Sequence, residues 1–342
     1  MKYTGENLKE ILFPLGGIGT GSISIAGNGI LRDFEIFNRP NKGSLNGFTH
    51  FAVRVATPDG KVYTRAVCGD VTKDLTGQYS NGRFCGYGFG VSSNTMNGFP
   101  HFRNCELDAH FPFAEFTFSD PDFPGKLLLA AWNPLIPRDA DNSGLPAAFF
   151  ELTYVNDSDG DANALLCFSA GCPFESAVNT AAVSASDAHV HMRSTLCEND
   201  LSYGDFTLAC EHGDIAEESW YRGDWCDAVV TYWNELTAGT LSARHYNSPG
   251  KDHATVGKHL TVPAHTSKSV RFLLTWNVPN CCNYWSPVKD ENGNCKIWKN
   301  HYATRFADSL ATSDYALTNY ADLYRRTRAY CDAMFSRRFR SM

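Results

Sequence analysis

The sequence predicts a mainly β protein, a large two-sheet β-sandwich followed by helices at the C-terminus. From about residue 10 to residue 280 the apolar residues fall in short or alternating runs, at 51–55, 114–118, 126–130, 149–154, 228–232 and 269–276. That pattern belongs to strands with one or two buried faces. Turn-forming clusters separate the runs, Pro58-Asp59-Gly60 and the polar stretch 156–161 among them. No helical segment is read between them, which selects a sandwich over an alternating α/β fold. Near residue 297 the apolar period changes to three and four.

Taken in order, the first element is the stretch FPLGGIGTGSISIAGNGILRDFEIFNRP, residues 13–40. Gly17, Gly19 and Gly21 recur at every second position, and Ser22-Ile23-Ser24-Ile25 then alternates as a strand. A dinucleotide fingerprint needs a third glycine three positions on and a helix behind it, so this cluster is read as close backbone approach instead of a phosphate cradle. Asp33 and Glu35 stand two apart, on one strand face, with Arg32, Asn38 and Arg39 beside them. A second acidic pair, Asp139 and Asp141, lies in the loop NPLIPRDADNSGLPAAFF. Paired carboxylates are the minimum equipment for glycoside hydrolysis, but beside arginines they serve equally as a structural ion-pair network.

Other chemistry finds no full motif. His189 and His191 share a strand face without a third metal ligand at a useful spacing. Asp157, Asp159 and Asp161 begin like a calcium loop, but Ala162 stands where that loop needs glycine and Phe168 where it needs glutamate. The stretch reads as a polar hairpin turn. No metal and no cofactor is expected.

The tail is read as two helical stretches. In 298–310, Tyr302, Phe306 and Leu310 recur at intervals of four. In 314–337, Leu317, Tyr320, Leu323, Tyr324, Thr327, Cys331, Met334 and Phe335 share one face, with Ser313 and Asp314 supplying the cap. The expected division is a sandwich domain over 1–296 and a helical tail over 297–342.

A formal net charge of -7 argues against nucleic acid as a partner, and the six arginines between Arg325 and Arg340 read as a helix face. The polar opening MKYTGENLKE lacks the apolar core of a signal peptide, and no apolar run reaches membrane-spanning length, so a cytoplasmic chain without a transmembrane segment is expected. The twelve cysteines contain no C-x-x-C spacing and are read as reduced, mostly buried thiols.

The opening stretch, together with HFRNCELDAHFPFAEFTFSDPDFPGKL, NPLIPRDADNSGLPAAFFELTYVND, FLLTWNVPN and NHYATRF, resembles the N-terminal domain of glycoside hydrolase family 116, the non-lysosomal glucosylceramidase or bile-acid β-glucosidase group. The five blocks keep their order and span nearly the whole chain. The resemblance implies a large β-sandwich leading into an (α/α)6 barrel, where a Glu nucleophile and an Asp acid/base hydrolyse β-glucosides with retention. No position here matches those catalytic motifs, and the sequence stops about where such a barrel would begin. The resemblance therefore implies a non-catalytic domain whose partner is a helical-barrel catalytic domain, with the β-glucoside reached only through it. Arg32, Asp33, Glu35, Asn38, Arg39, Asp139 and Asp141 become a structural or interdomain patch, with contact to substrate in a complete enzyme as a further role. Two other readings compete. One is a stand-alone carbohydrate-binding module presenting Trp220, Trp225, Tyr284 or Trp285, and the other an autonomous hydrolase using one of the acidic pairs. Without a covering barrel, the tail is expected either to fold back onto the sandwich or, as the favoured reading, to expose Leu323, Tyr324, Met334 and Phe335 and drive self-association.

Overall fold

The computed structural model describes residues 1–70 and 95–336. It is mainly β, with two antiparallel sheets stacked face to face and a helical layer on the outside of each. The larger sheet has nine strands. Across the sheet they run Lys2–Thr4, Asn104–His110, Phe113–Ser119, Lys126–Trp132, Ala147–Val155, Ser267–Asn277, Asp205–Glu211, Asp187–Ser194 and Ala177–Val183. The smaller has five, in the order Ile215–Glu217, His253–Val262, Ala162–Gly171, His50–Ala56 and Val62–Ala66. A three-stranded sheet, Leu12–Leu15, Ser22–Ala26 and Leu31–Glu35, carries the opening stretch.

Strand alternation sends successive side chains to opposite faces, so a fully apolar strand must be covered on both. In Ala147–Val155, Phe150 points between the sheets and Phe149 points away from them. On the inner side Phe150 is paired in register with Phe272, and Phe51 with Phe168 in the facing sheet. The Phe51 and Phe168 rings stack at 4.3 Å, and Phe51 meets Phe150 edge-on at 5.0 Å.

The outer face of the large sheet carries a row of paired residues, Phe113, Trp132, Phe149, Leu273 and Ala209, running straight across five strands. The C-terminal helices Ser309–Thr318 and Tyr320–Ser336 lie on it. Trp132 Nε1 donates to the Tyr320 hydroxyl at 3.2 Å, and the Arg328 guanidinium sits 3.7 Å over the Phe113 ring. Leu323 is 1% exposed and Tyr324 packs on Phe113 and Trp132, whereas Met334 and Phe335 are more than half exposed. The expectation of an uncovered apolar stripe is thus corrected for its first turns. The sheet's own outward aromatics cover them, and the exposed part is the last turn.

The tail also differs in its breaks. Residues 298–310 are not one helix: a short strand Trp298–Lys299 leads to the single turn Tyr302–Arg305, and Phe306 is extended. The next helix begins at Ser309, capped by Asp308, whose side chain accepts from Ala311 N at 2.7 Å, and not by Ser313 or Asp314.

The outer face of the small sheet bears the other correction. The run at 228–232, read as a strand, lies within the helix Asp227–Ala238. Its buried residues Val229, Tyr232 and Leu236 follow the helical period, and Gly239 ends it at φ +77°, the left-handed conformation that glycine adopts without strain. Beneath it runs a row of small paired residues, Ala66, Ala52, Cys167 and Gly257, over which a helix can lie close.

Leu323→Ala should lower the unfolding free energy by about 2–5 kcal/mol, the range for removing a buried leucine. Urea denaturation monitored by near-UV circular dichroism measures it. A change well under about 1 kcal/mol would mean that the helix does not rest on the Phe113–Trp132–Phe149 row.

Candidate functional site

The two carboxylate groups singled out from sequence come to one end of the sandwich through the glycine segment. Ile18 N donates to Ser143 O at 2.8 Å, and Trp276 Nε1 reaches Thr20 O at 2.7 Å. A Cβ on Gly17 would run into the backbone of Leu145 and Gly144, and one on Gly21, which sits at φ +87°, would stand 2.6 Å from Glu35 O. The glycines therefore let three backbone segments touch.

Asp33 sits in a β-bulge. Ser24 pairs with Arg32 and Ser22 with Glu35, so Asp33 and Phe34 together oppose Ile23, and Asp33 takes φ +51°. Its Oδ1 accepts from Gly43 N at 2.7 Å. Glu35 accepts from Asn41 N at 3.1 Å and from Lys42 Nζ at 2.6 Å, while Lys42 lies 3.5 Å from Asp33 Oδ2. The counter-ion of this pair is Lys42 instead of Arg32 or Arg39, and both carboxylates are engaged in folding the 36–44 turn back on its own strand. Arg39 is exposed, and Arg32 Nε is buried without a hydrogen-bond partner among the described residues.

Asn38 points elsewhere. Its Nδ2 donates to Asn280 O at 3.0 Å, and its Oδ1 accepts from Asn300 Nδ2 at 2.9 Å. The next residue, His301, meets Asp141 Oδ1 at 3.1 Å. Asn300 and His301 thus tie the two sequence-defined groups together. Asp139 caps the turn Ala140–Ser143, accepting from Asn142 N at 3.1 Å, and binds Arg326 of the C-terminal helix at 2.6 Å. Burial raises its carboxyl pKa, but the Asn142 and Arg326 hydrogen bonds outweigh that, so the net shift is downward. A general acid needs the opposite shift. Asp139 is an ionised cap and tether.

His189 and His191 do not converge on a metal: His189 Nδ1 pairs with Asp187 at 2.6 Å, and among the described residues no group of three or more His, Cys, Asp or Glu could hold an ion. Asp159 and Asp161 hold the neighbouring turn at His265 and Ala264 N, as a polar hairpin does. The described cysteines are free thiols, six of them buried, and burial pushes Cys68, Cys105 and Cys172 up to about 12. Of the proposed aromatic platforms, Trp220 is 2% exposed and excluded, while Trp225 and Trp285 are each 83% exposed and Tyr284 45%.

A polar cluster that the sequence reading missed lies under the helix Asp227–Ala238. Glu217, Thr255, Ser169 and His50 are paired in register across four strands of the small sheet, one lane away from the row of small residues. Their hydrogen bonds have one direction. His50 Nδ1 lies 2.7 Å from Phe48 O, an acceptor, so that nitrogen carries the proton and Nε2 accepts from Tyr232 at 3.2 Å. Ser169 donates to Tyr232, leaving Thr255 to donate to Ser169 and to accept from Trp220 Nε1 at 2.8 Å. Trp220 is stacked between Tyr232, at 4.0 Å, and His253, at 4.7 Å. Such a chain is cooperative and keeps His50 neutral. Burial lowers the pKa of both His50 and His253 to about 4, and raises that of Glu217 to about 8. The residues are scattered over 200 positions, so only the period-two register signals them, and that requires knowing the strand partners.

Two outcomes follow. Gly17→Ala should destabilise the fold by about 1–3 kcal/mol through overpacking against residues 144–145, read from the denaturation midpoint. His50 and His253 have folded pKa values below the ordinary 6.5, so they cost no stability above that pH and withdraw it as pH falls from 6.5 towards 4. His50→Asn should make that acid limb shallower in thermal unfolding between pH 7 and 4, and an unchanged slope would mean that His50 titrates freely.

No curated protein matches the chain. Among solved structures it is similar to a putative kojibiose phosphorylase from the human microbiome (11% identity, TM-score 0.42) and a bacterial glucoamylase complexed with acarbose (8%, 0.45). It is also similar to the polysaccharide lyase BACCELL_00875 (10%, 0.34). The likeness covers 95%, 95% and 75% of this chain but only 36%, 36% and 30% of theirs, so the chain spans about a third of their length. Among the described residues no helix is long and apolar enough to cross a membrane. Residues 13–323 match the family model described as beta-glucosidase 2, glycosyl-hydrolase family 116 N-term, and the chain, a β-sandwich whose carboxylates are engaged in turns, caps and ion pairs, belongs to that family of glycosidase N-terminal domains.

Proposed function

We propose that this chain is the non-catalytic sandwich domain of a family 116 β-glucosidase or glucosylceramidase, acting as a support for a helical-barrel catalytic domain that carries the reacting carboxylates. The observation that favours it is the occupation of every candidate carboxylate. Asp33 and Glu35 bind turn amides and Lys42, Asp139 caps a helix and holds Arg326, and Asp141 holds His301. Asp33 and Glu35 share Lys42 between them and the Asp33 side chain is 1% exposed, so that pair does not flank an accessible bond as retaining hydrolysis requires. The end of the sandwich that gathers Asn38, Asp141 and His301 is the proposed face towards the barrel. The β-glucoside is reached through that partner, and a cytoplasmic setting suits the free buried thiols.

A carbohydrate-binding module remains the second reading, favoured by the exposed Tyr284 and Trp285 rings, 5.4 Å apart. Self-association is proposed through the last helical turn, where Met334 and Phe335 are exposed.

One set of measurements separates these readings. The purified chain is expected to show no turnover of an aryl β-glucoside. Adding a family 116 barrel domain should produce a complex in sedimentation velocity and restore activity. Turnover by the chain alone, abolished by Asp33→Asn or Asp139→Asn, would overturn the proposal. Binding of a β-glucan oligosaccharide lost in Trp285→Ala, with no barrel complex, would establish the module instead.

A further inference from the structure

Glu217 ends the edge strand Ile215–Glu217 and is 1% exposed. Glu235 is on the helix Asp227–Ala238, and Arg244, from the segment that follows, reaches both. Its Nη1 lies 3.2 Å from Glu217 Oε1 and 3.1 Å from Glu235 Oε2, and its Nη2 also binds Glu235. One cation therefore serves two carboxylates that sit on different layers. Glu217 Oε2 is buried with no hydrogen-bond partner among the described residues.

We propose that Glu217, Arg244 and Glu235 form a proton-operated clasp, which holds the helix on the small sheet while Glu217 is protonated and loosens it when Glu217 ionises.

With Glu217 neutral, Arg244 and Glu235 form a balanced pair. With Glu217 ionised, the same pocket holds a surplus negative charge, and desolvation makes that costly. Burial accordingly raises the Glu217 carboxyl to about 8, against the pull of Arg244 and with the push of Glu235. Of the other groups facing it, only the Thr255 hydroxyl pulls the Glu217 carboxyl down, and burial outweighs it. The helix adds the Tyr232 phenol and the strand Ala162–Gly171 adds the Cys167 thiol, both pushed far up by burial. The strand His253–Val262 presents Thr255, which is uncharged. Glu218 faces away and pairs with His245, and Asp214 pairs with Lys258 and His259.

The sign is that of an acid whose folded pKa lies above its unfolded value. The stabilisation is complete below about 4.5, falls as pH rises, and is exhausted above about 8. His50 and His253, which also lie under this region, bind extra protons on opening only below about 6.5. Between pH 6.5 and 8 Glu217 alone remains, and one proton makes opening tenfold easier per pH unit.

Amide hydrogen exchange of residues 227–238 in the full chain, corrected for the intrinsic pH dependence of exchange, reads this directly. The opening constant should rise about 15-fold from pH 6.5 to 8 and level off near 30-fold above about pH 9, with strand Ala147–Val155 unchanged. In Glu217→Gln the rise should shrink below about threefold. Glu235→Gln removes the competing carboxylate, so its plateau should begin at lower pH. A flat profile in the unmodified chain would overturn the proposal, as would an unchanged slope in Glu217→Gln. Should Glu217→Gln fail to fold, an unshifted plateau in Glu235→Gln would overturn it equally.

Discussion

Phe51 and Phe168 in the small sheet face Phe150 and Phe272 in the large one, and the positions of both sheets follow from how these four rings pack. Each pair is set by strand register, so the cluster forms only when both sheets are correctly zipped. A slip of one residue would send Phe150 outwards and bring Phe149 in. The cost of losing one such ring, about 3–5 kcal/mol, is a large part of the net stability of a domain. Register is therefore the constraint on which everything else is built.

Because the same strands are apolar on both faces, closing the sandwich leaves two outer surfaces to cover, and the chain covers each with helix in a different way. The large sheet offers a ridge of aromatics, which the C-terminal helices grip through Tyr320, Leu323 and Tyr324 with Arg328 and Arg271 laid over rings. The small sheet offers a shallow lane of alanine, cysteine and glycine, and the helix above it packs Val229, Tyr232 and Leu236 there and adds a polar flank through Glu235 and Arg244. Both helical layers rest on apolar area and are tied down by ion pairs, Arg326 to Asp139 on one side and Arg244 to Glu217 and Glu235 on the other.

The opening glycines and the two acidic groups belong to the same logic. Gly17 and Gly21 let the three-stranded sheet close on residues 144–145 and 35–36, and the resulting end is stitched by Asn38, Asn300, His301 and Asp141. Polar residues crowded at one end of a sandwich look like a catalytic centre in sequence because the same side chains serve turn amides and caps. The geometry distinguishes the uses: Asp33 and Asp139 accept from backbone N–H groups of their own turns, where an ionised acceptor is wanted.

Alternation and turn chemistry by themselves determined the β class, most strand positions and the structural part played by the glycines, because those are local signals repeated many times, while the family resemblance rested on five ordered sequence blocks. Local signals misled where two periods coincide. Ala228-Val229-Val230-Thr231-Tyr232 is as good a strand as a helix turn, and only Leu236 and Gly239, with the lane of small residues beneath, select the helix. The cap at Asp308 was invisible because Ser313 and Asp314 fit the same chemistry a turn later, and the Ser309 amide is taken up by Asp205 from another strand. The row Glu217–Thr255–Ser169–His50 and the bridge from Asn38 through His301 to Asp141 were decided by tertiary structure alone. Their members are brought together by strand partners and loop crossings far apart in the chain, and single-sequence periodicity carries no information about which strands pair.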